Sequence, residues 1–114
     1  MVRKTTLSSI RDLKRIYKHG SKVSNRYLTI KFLKKENCGG NRIAFFVGGK
    51  IGKAVARNRL KRLLREAYRA NEEKFKKCYD LIVIARQPLK EKTFEEVEQI
   101  LMSTFGEANL LTRK

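Results

Sequence analysis

The apolar positions of this chain change their spacing along its length, and each change marks an element. Ile10, Leu13, Ile16 and Tyr17 recur at helical intervals with Arg11, Lys14, Arg15 and Lys18 opposite them, which predicts a first helix over about 9–19. Ser9 is placed to cap it, Asp12 favours its first turn, His19 falls among the free carbonyls of its last turn, and Gly20 offers a left-handed closing position. Over about 22–33 the period drops to two. Tyr27, Thr29 and Lys31 alternate with Leu28, Ile30 and Phe32, the pattern of a strand with one buried face. The segment 34–41, KKENCGGN, is rich in turn residues and predicts a hairpin. Its return strand, about 42–48, directs Ile43, Phe45 and Val47 to the same core and leaves Ala44 and Phe46 on the face of Tyr27, Thr29 and Lys31.

A helical period returns over about 54–70, where Leu60, Leu63, Leu64, Ala67 and Tyr68 form one apolar stripe. Gly48, Gly49 and Gly52 make a flexible approach to it, either simple turn geometry or a loop that lets a backbone come close to phosphates. After a polar connection, 80–86 (DLIVIAR) is a continuous apolar run ended by Pro88, the pattern of a strand covered on both faces. Thr93 and Glu96 form a capping box that opens a last helix over about 93–106, with Phe94, Val97, Ile100, Leu101 and Phe105 as its core stripe. The tail is expected to fray, although Leu110 and Leu111 are able to dock. The order of elements predicts a single α+β domain over 1–114, an α/β sandwich with helices on a small mixed sheet, the strand order left open.

Charge changes this picture from a fold to a partner. The chain carries 28 Lys and Arg against 11 Asp and Glu, a formal charge of +17, which implies a polyanionic partner. The polar side of the central helix concentrates it: Asn58, Lys61, Arg62, Arg65 and Arg69 lie in one arc with Arg57 and Arg59 at its flanks, and Lys50 and Lys53 precede them. Solvated helix faces usually interleave acids as i,i+4 partners, and from Lys50 to Arg69 the only acid is Glu66. Nucleic acid suits such a face best. Anionic lipid is the rival, but no apolar run approaches the roughly 20 residues of a membrane span. The N-terminus has no uninterrupted apolar segment of the secretory kind, so the expected location is the cytoplasm. There, Cys38 and Cys78, without CxxC spacing and with only His19 as a co-ligand, are expected to be free thiols and not a zinc site.

The same central stretch resembles a known signature. Ile51, Ala54, Arg57-Asn58-Arg59, Leu60, Lys61-Arg62, Leu64 and Arg65 are similar in kind and spacing to the RNR motif of the bacterial ribonuclease P protein component, and DLKRIYKHG, SNRYL and YDLIVIAR with its following proline occur in family order. The resemblance covers nearly the whole chain. It implies an αβββαβα sandwich, with one further short strand near 22–24 and an uncommon left-handed βαβ crossover that the usual right-handed rule would disfavour. It also implies a polypeptide that is not itself the catalyst. A large catalytic RNA, with Mg²⁺ held mainly by that RNA, removes the 5′ leader of precursor tRNA, and the protein binds both RNAs without an obligate protein partner.

Carried over by motif position, the surface facing the catalytic RNA comprises Lys50, Lys53, Arg57, Asn58, Arg59, Lys61, Arg62, Arg65 and, at the end of the same face, Arg69. A second surface, between the first helix and the open face of the sheet, would hold the single-stranded leader, with Leu13, Tyr17 and Lys31 at the matching positions. This chain departs from the family there, where the positions of Leu13 and Lys31 are often aromatic. Phe46 and Tyr27 are candidate replacements for the missing stacking partners. The competing readings are a general basic RNA-binding or ribosomal-type protein with no part in cleavage, and a protein-only nuclease, which would need acids converging on metal ions.

Overall fold

A computed structural model of the chain describes residues 10–36 and 40–112. The elements run α1 (Ile10–His19), β1 (Ser21–Ser24), β2 (Leu28–Lys34), β3 (Arg42–Val47), α2 (Ala54–Ala70), β4 (Tyr79–Ala85) and α3 (Phe94–Glu107), the αβββαβα order, with short 3-10 turns between some of them. The expected long first strand is divided in two. Asn25 accepts hydrogen bonds at its side-chain oxygen from the backbone of Tyr27 (2.8 Å) and Leu28 (2.9 Å), an Asx turn that folds β1 back on β2.

The four strands lie in the order β1-β2-β4-β3. This corrects the expected hairpin, because β2 and β3 are not neighbours. β4 lies between them, antiparallel to β2 and parallel to β3. Its side chains are apolar toward both layers: Leu81, Val83 and Ala85 join the large core, while Ile82 and Ile84 face α1. A strand of that kind is most stable with sheet on either side, whereas β3 leaves Phe46 partly exposed. The expected faces survive the change of neighbour, since alternation assigns a face whichever strand lies alongside.

The large core is sealed by α2 and α3. Leu60, Leu63, Leu64, Ala67 and Tyr68 are all buried, and they meet Val97, Leu101 and Phe105 of α3. Tyr68, Phe75 and Phe105 form an aromatic group, with Tyr68 stacked on Phe75 at 4.8 Å. Thr93 and Glu96 close the capping box of α3 as expected, the Thr93 amide donating to Glu96 at 2.9 Å and the Glu96 amide to Thr93 at 3.2 Å. The tail is docked: Leu110 is buried, Leu111 bridges to Phe75, and the Thr112 amide donates to the Lys74 carbonyl at 2.8 Å.

On the opposite face α1 rests through Ile16 on Ala44 and Ile82, with Leu13 packed against them. Ile10 and Tyr17, expected in the same apolar stripe, are exposed. Ser9 lies outside the described residues. Gly20 does not take a left-handed conformation. Space requires it instead, because a Cβ there would stand 2.6 Å from the Ile16 carbonyl oxygen and 2.7 Å from that of Phe32. The free-thiol expectation is corrected at Cys78, which is disulfide-bonded. Cys78 adopts φ 76° at the entrance to β4, and its carbonyl accepts from the Lys35 amide at 2.7 Å, holding it beside the segment that follows β2. Cys38 lies outside the described residues.

Candidate nucleic-acid interface

The apolar stripe of α2 fixes which side chains look outward. With Leu60, Leu63 and Leu64 locked into the core, Asn58, Arg59, Arg62, Arg65 and Arg69 are exposed, and Lys61 is half-buried. Lys50 and Lys53 are exposed just before the helix. Among the described residues the four ion pairs all belong to Asp12, Arg15, Arg42 and Asp80, so the cations of the α2 face, which holds the single acid Glu66, are left out of them.

The helix start adds to the demand for an anion. Lys53 occupies the cap position without a side-chain cap bond, and the first turn carries no acid. First-turn amides of a helix need partners, and the positive end of the helix dipole disfavours the cations placed here. Gly52 precedes it at φ 155°, a conformation that L side chains rarely adopt. Arg57, on the flank of the stripe, is half-buried, and its buried Nε has no hydrogen-bond partner. Arg59 instead donates from Nη2 to the Lys92 carbonyl at 3.2 Å, which ties α2 to the loop before α3.

The second candidate surface lies across the sheet. Strand register places Lys22, Lys31, Ile82 and Ala44 in one row and Ser24, Thr29, Ile84 and Phe46 in the next, all on the α1 face. Tyr17 projects from α1 with 54% exposure, and the Lys31 ammonium lies 3.7 Å from its ring centroid. Leu13 is half-buried beneath α1. Phe46 is exposed on β3, on the same side of the sheet. Tyr27 does not belong to this group. It sits in the turn before β2, where strand alternation has not begun, and packs against the large core on the α3 side.

The sequence reading missed the cluster that seats α1. Asp80, at 0% exposure, receives Arg42 Nε at 2.9 Å, Arg42 Nη2 at 2.8 Å and Arg15 Nη2 at 2.9 Å. Asp12 takes Arg42 Nη1 at 3.0 Å. The hydrogen bond to Asp80 raises the Arg42 pKa above its ordinary value. An acid opening an otherwise apolar strand was the available signal, since a buried carboxylate needs cationic partners.

A basic helix face carrying a single acid, Glu66, on an α+β sandwich, with an aromatic-edged sheet surface beyond it, has the character of a polyanion-binding domain of the RNA-binding class. Comparison with known proteins narrows the class. The Ribonuclease P family profile matches residues 1–109. The chain is 43% identical over 89 residues to the ribonuclease P protein component of Clostridioides difficile, covering 77% of each chain. To that of Alkaliphilus metalliredigens it is 37% identical over 106 residues, covering 93% of this chain and 95% of the relative. The crystal structure of the Staphylococcus aureus RNase P protein superposes with a TM-score of 0.88 at 30% identity, covering 96% of this chain and all of that one. The chain belongs to the ribonuclease P protein family, the protein component of a tRNA-processing ribonuclease. Among the described residues no helix is long and apolar enough to cross a membrane.

Proposed function

We propose that this polypeptide is the non-catalytic, RNA-binding subunit of a cytoplasmic ribonuclease P, with α2 and its preceding loop against the catalytic RNA and the α1–sheet cleft on the single-stranded 5′ leader of precursor tRNA. The carrying observation is the α2 face with its preceding loop, on which Lys50, Lys53, Arg59, Arg62, Arg65 and Arg69 stand exposed with no ion-pair partner among the described residues. Arginine forks suit bidentate contact with phosphate, and Asn58 adds a donor and an acceptor for a base edge or ribose. In the cleft, Tyr17 supplies a ring and Lys31 a charge to a flexible strand, with Phe46 as a second ring and Leu13 as apolar support.

Five of the eleven acids already have partners. Asp80 and Asp12 are committed to arginines, Glu96 to its cap, Glu98 to Asn71 and Glu107 to Asn25. Among the described residues no three His, Cys, Asp or Glu groups are arranged to hold a metal. In this reading the RNA holds the metal and performs the hydrolytic step, and the protein contributes affinity and alignment. The test is cleavage of precursor tRNA by a bacterial catalytic RNA at low Mg²⁺, with and without this protein, beside a protein-only control. Stimulation that needs both components is expected. Tight RNA binding without stimulation would instead favour a general RNA-binding protein, and cleavage by the protein alone would favour a protein-only nuclease.

A further inference from the structure

The ring displaced from the leader cleft lies on a surface of its own. Tyr27 is half-buried, and its backbone is pinned at both ends: its amide donates to the Asn25 side chain at 2.8 Å, and its carbonyl accepts from the Arg86 amide at 2.9 Å. Two cations approach the ring, Arg26 at 5.9 Å and Lys92 at 5.5 Å from the centroid. Both distances are within cation–π range. Beside the ring opens a groove of about 380 Å³ that Arg26, Gln99, Ile100 and Ser103 also line, large enough for a nucleobase and furnished with an amide and a hydroxyl.

This surface is continuous with the α2 face. Arg59 donates to the carbonyl of Lys92, the residue whose ammonium approaches Tyr27. Arg59 and Lys90 also border a second depression of about 340 Å³ at the start of α2, together with Glu91. Along this strip Arg26, Arg59, Lys90 and Lys92 are opposed by Glu91, by Glu96 and by Glu107, which also lines the groove and accepts from the Asn25 side chain at 3.1 Å. The Glu96 carboxyl is held below its usual range, first by the Thr93 backbone hydrogen bond and with a smaller contribution from Lys92, and is engaged in the α3 cap. The balance stays positive. A pinned ring with flanking cations and an open, partly polar groove has the composition of a stacking platform for an unpaired base.

We infer that Tyr27, with Arg26 and Lys92, forms a second stacking site, one that takes an unpaired nucleotide of the catalytic RNA and extends the α2 interface around the edge of the sheet. The inference rests on the RNA-subunit reading above. It assigns the site to the catalytic RNA and not to the leader because the strip joins α2 through Arg59, while Tyr17 and Lys31 occupy the opposite face of the sheet.

The chain contains no Trp, so Tyr27→Trp introduces a unique emission signal at the site. On addition of the catalytic RNA alone, the emission should be quenched and protected from acrylamide, with little further change when precursor tRNA follows. Tyr27→Phe should bind this RNA like the unaltered protein, whereas Tyr27→Leu should bind roughly 5- to 150-fold more weakly, the range expected for one lost base stack. Unchanged emission in a Tyr27→Trp protein that binds the RNA with full affinity would overturn the stacking site and leave the RNA-subunit reading intact. Quenching that appears only with precursor tRNA would overturn its assignment to the catalytic RNA. Failure of the unaltered protein to bind the catalytic RNA would overturn both readings together.

Discussion

Asp80→Asn keeps the size of a buried side chain and removes the charge that two arginines converge on. The carboxylate takes three hydrogen bonds of 2.8–2.9 Å, two from Arg42 and one from Arg15. Breaking a fully buried ion pair costs about 3–5 kcal/mol. Here the side chains of Arg15 and Arg42 are 46% and 31% exposed and can rehydrate, and Asp12 remains beside Arg42 at 3.0 Å. Solvent screening lowers the expected loss to about 2–4 kcal/mol. At an unfolding entropy of about 2.1 cal/mol/K per residue, 114 residues give about 0.24 kcal/mol/K. The Tm should therefore fall by about 8–17 °C. Thermal unfolding followed by circular dichroism at one fixed ionic strength measures this, because a chain of +17 changes its own repulsion with salt. A drop smaller than about 3 °C would refute the reasoning, since the cluster would then contribute no more than exposed surface pairs do.

Leu64 is fully buried in the α2 stripe, so Leu64→Ala should cost about 2–5 kcal/mol, read as a lower denaturation midpoint; an unchanged midpoint would show that the faces of α2 are misassigned. The double change Arg62→Ala with Arg65→Ala should weaken binding of the catalytic RNA and flatten its salt dependence by about two counterions, while Tm stays near that of the parent. An unaltered salt slope would remove both residues from the phosphate contacts. Tyr17→Ala should impair precursor tRNA binding more than mature tRNA binding, and equal losses would argue against a leader site between α1 and the sheet. Gly20→Ala should lower Tm by several degrees, because the added methyl meets two backbone oxygens that no side-chain movement can clear; an unchanged Tm would mean that the α1–β1 junction yields easily.

The periodic properties of this protein are written in its sequence. The buried stripe of α2, the outward cations that follow from it, the capping box of α3 and the two faces of β2 and β3 all depend on 3.6- and 2-residue periods, which local spacing sets directly. The RNR motif carried the family resemblance for the same reason, its chemistry lying in one contiguous segment. What lay beyond the sequence depends on which distant segments meet. Apolar runs record that a strand is buried but not its neighbours, so the insertion of β4 between β2 and β3 had to be decided by packing on both sheet faces. Asp80 acquires meaning only when β4 brings it to Arg42 and to Arg15 of α1, residues 38 and 65 positions away along the chain. Tyr27 changed surfaces because one Asx turn ends the alternation a residue before β2 begins. The tail orders because Phe75 and Lys74, in a segment that reads as polar linker, are positioned by the completed core to receive Leu111 and Thr112. Each of these is a long-range contact, stabilised only after the chain has closed the intervening loop, and therefore leaves little trace in local pattern.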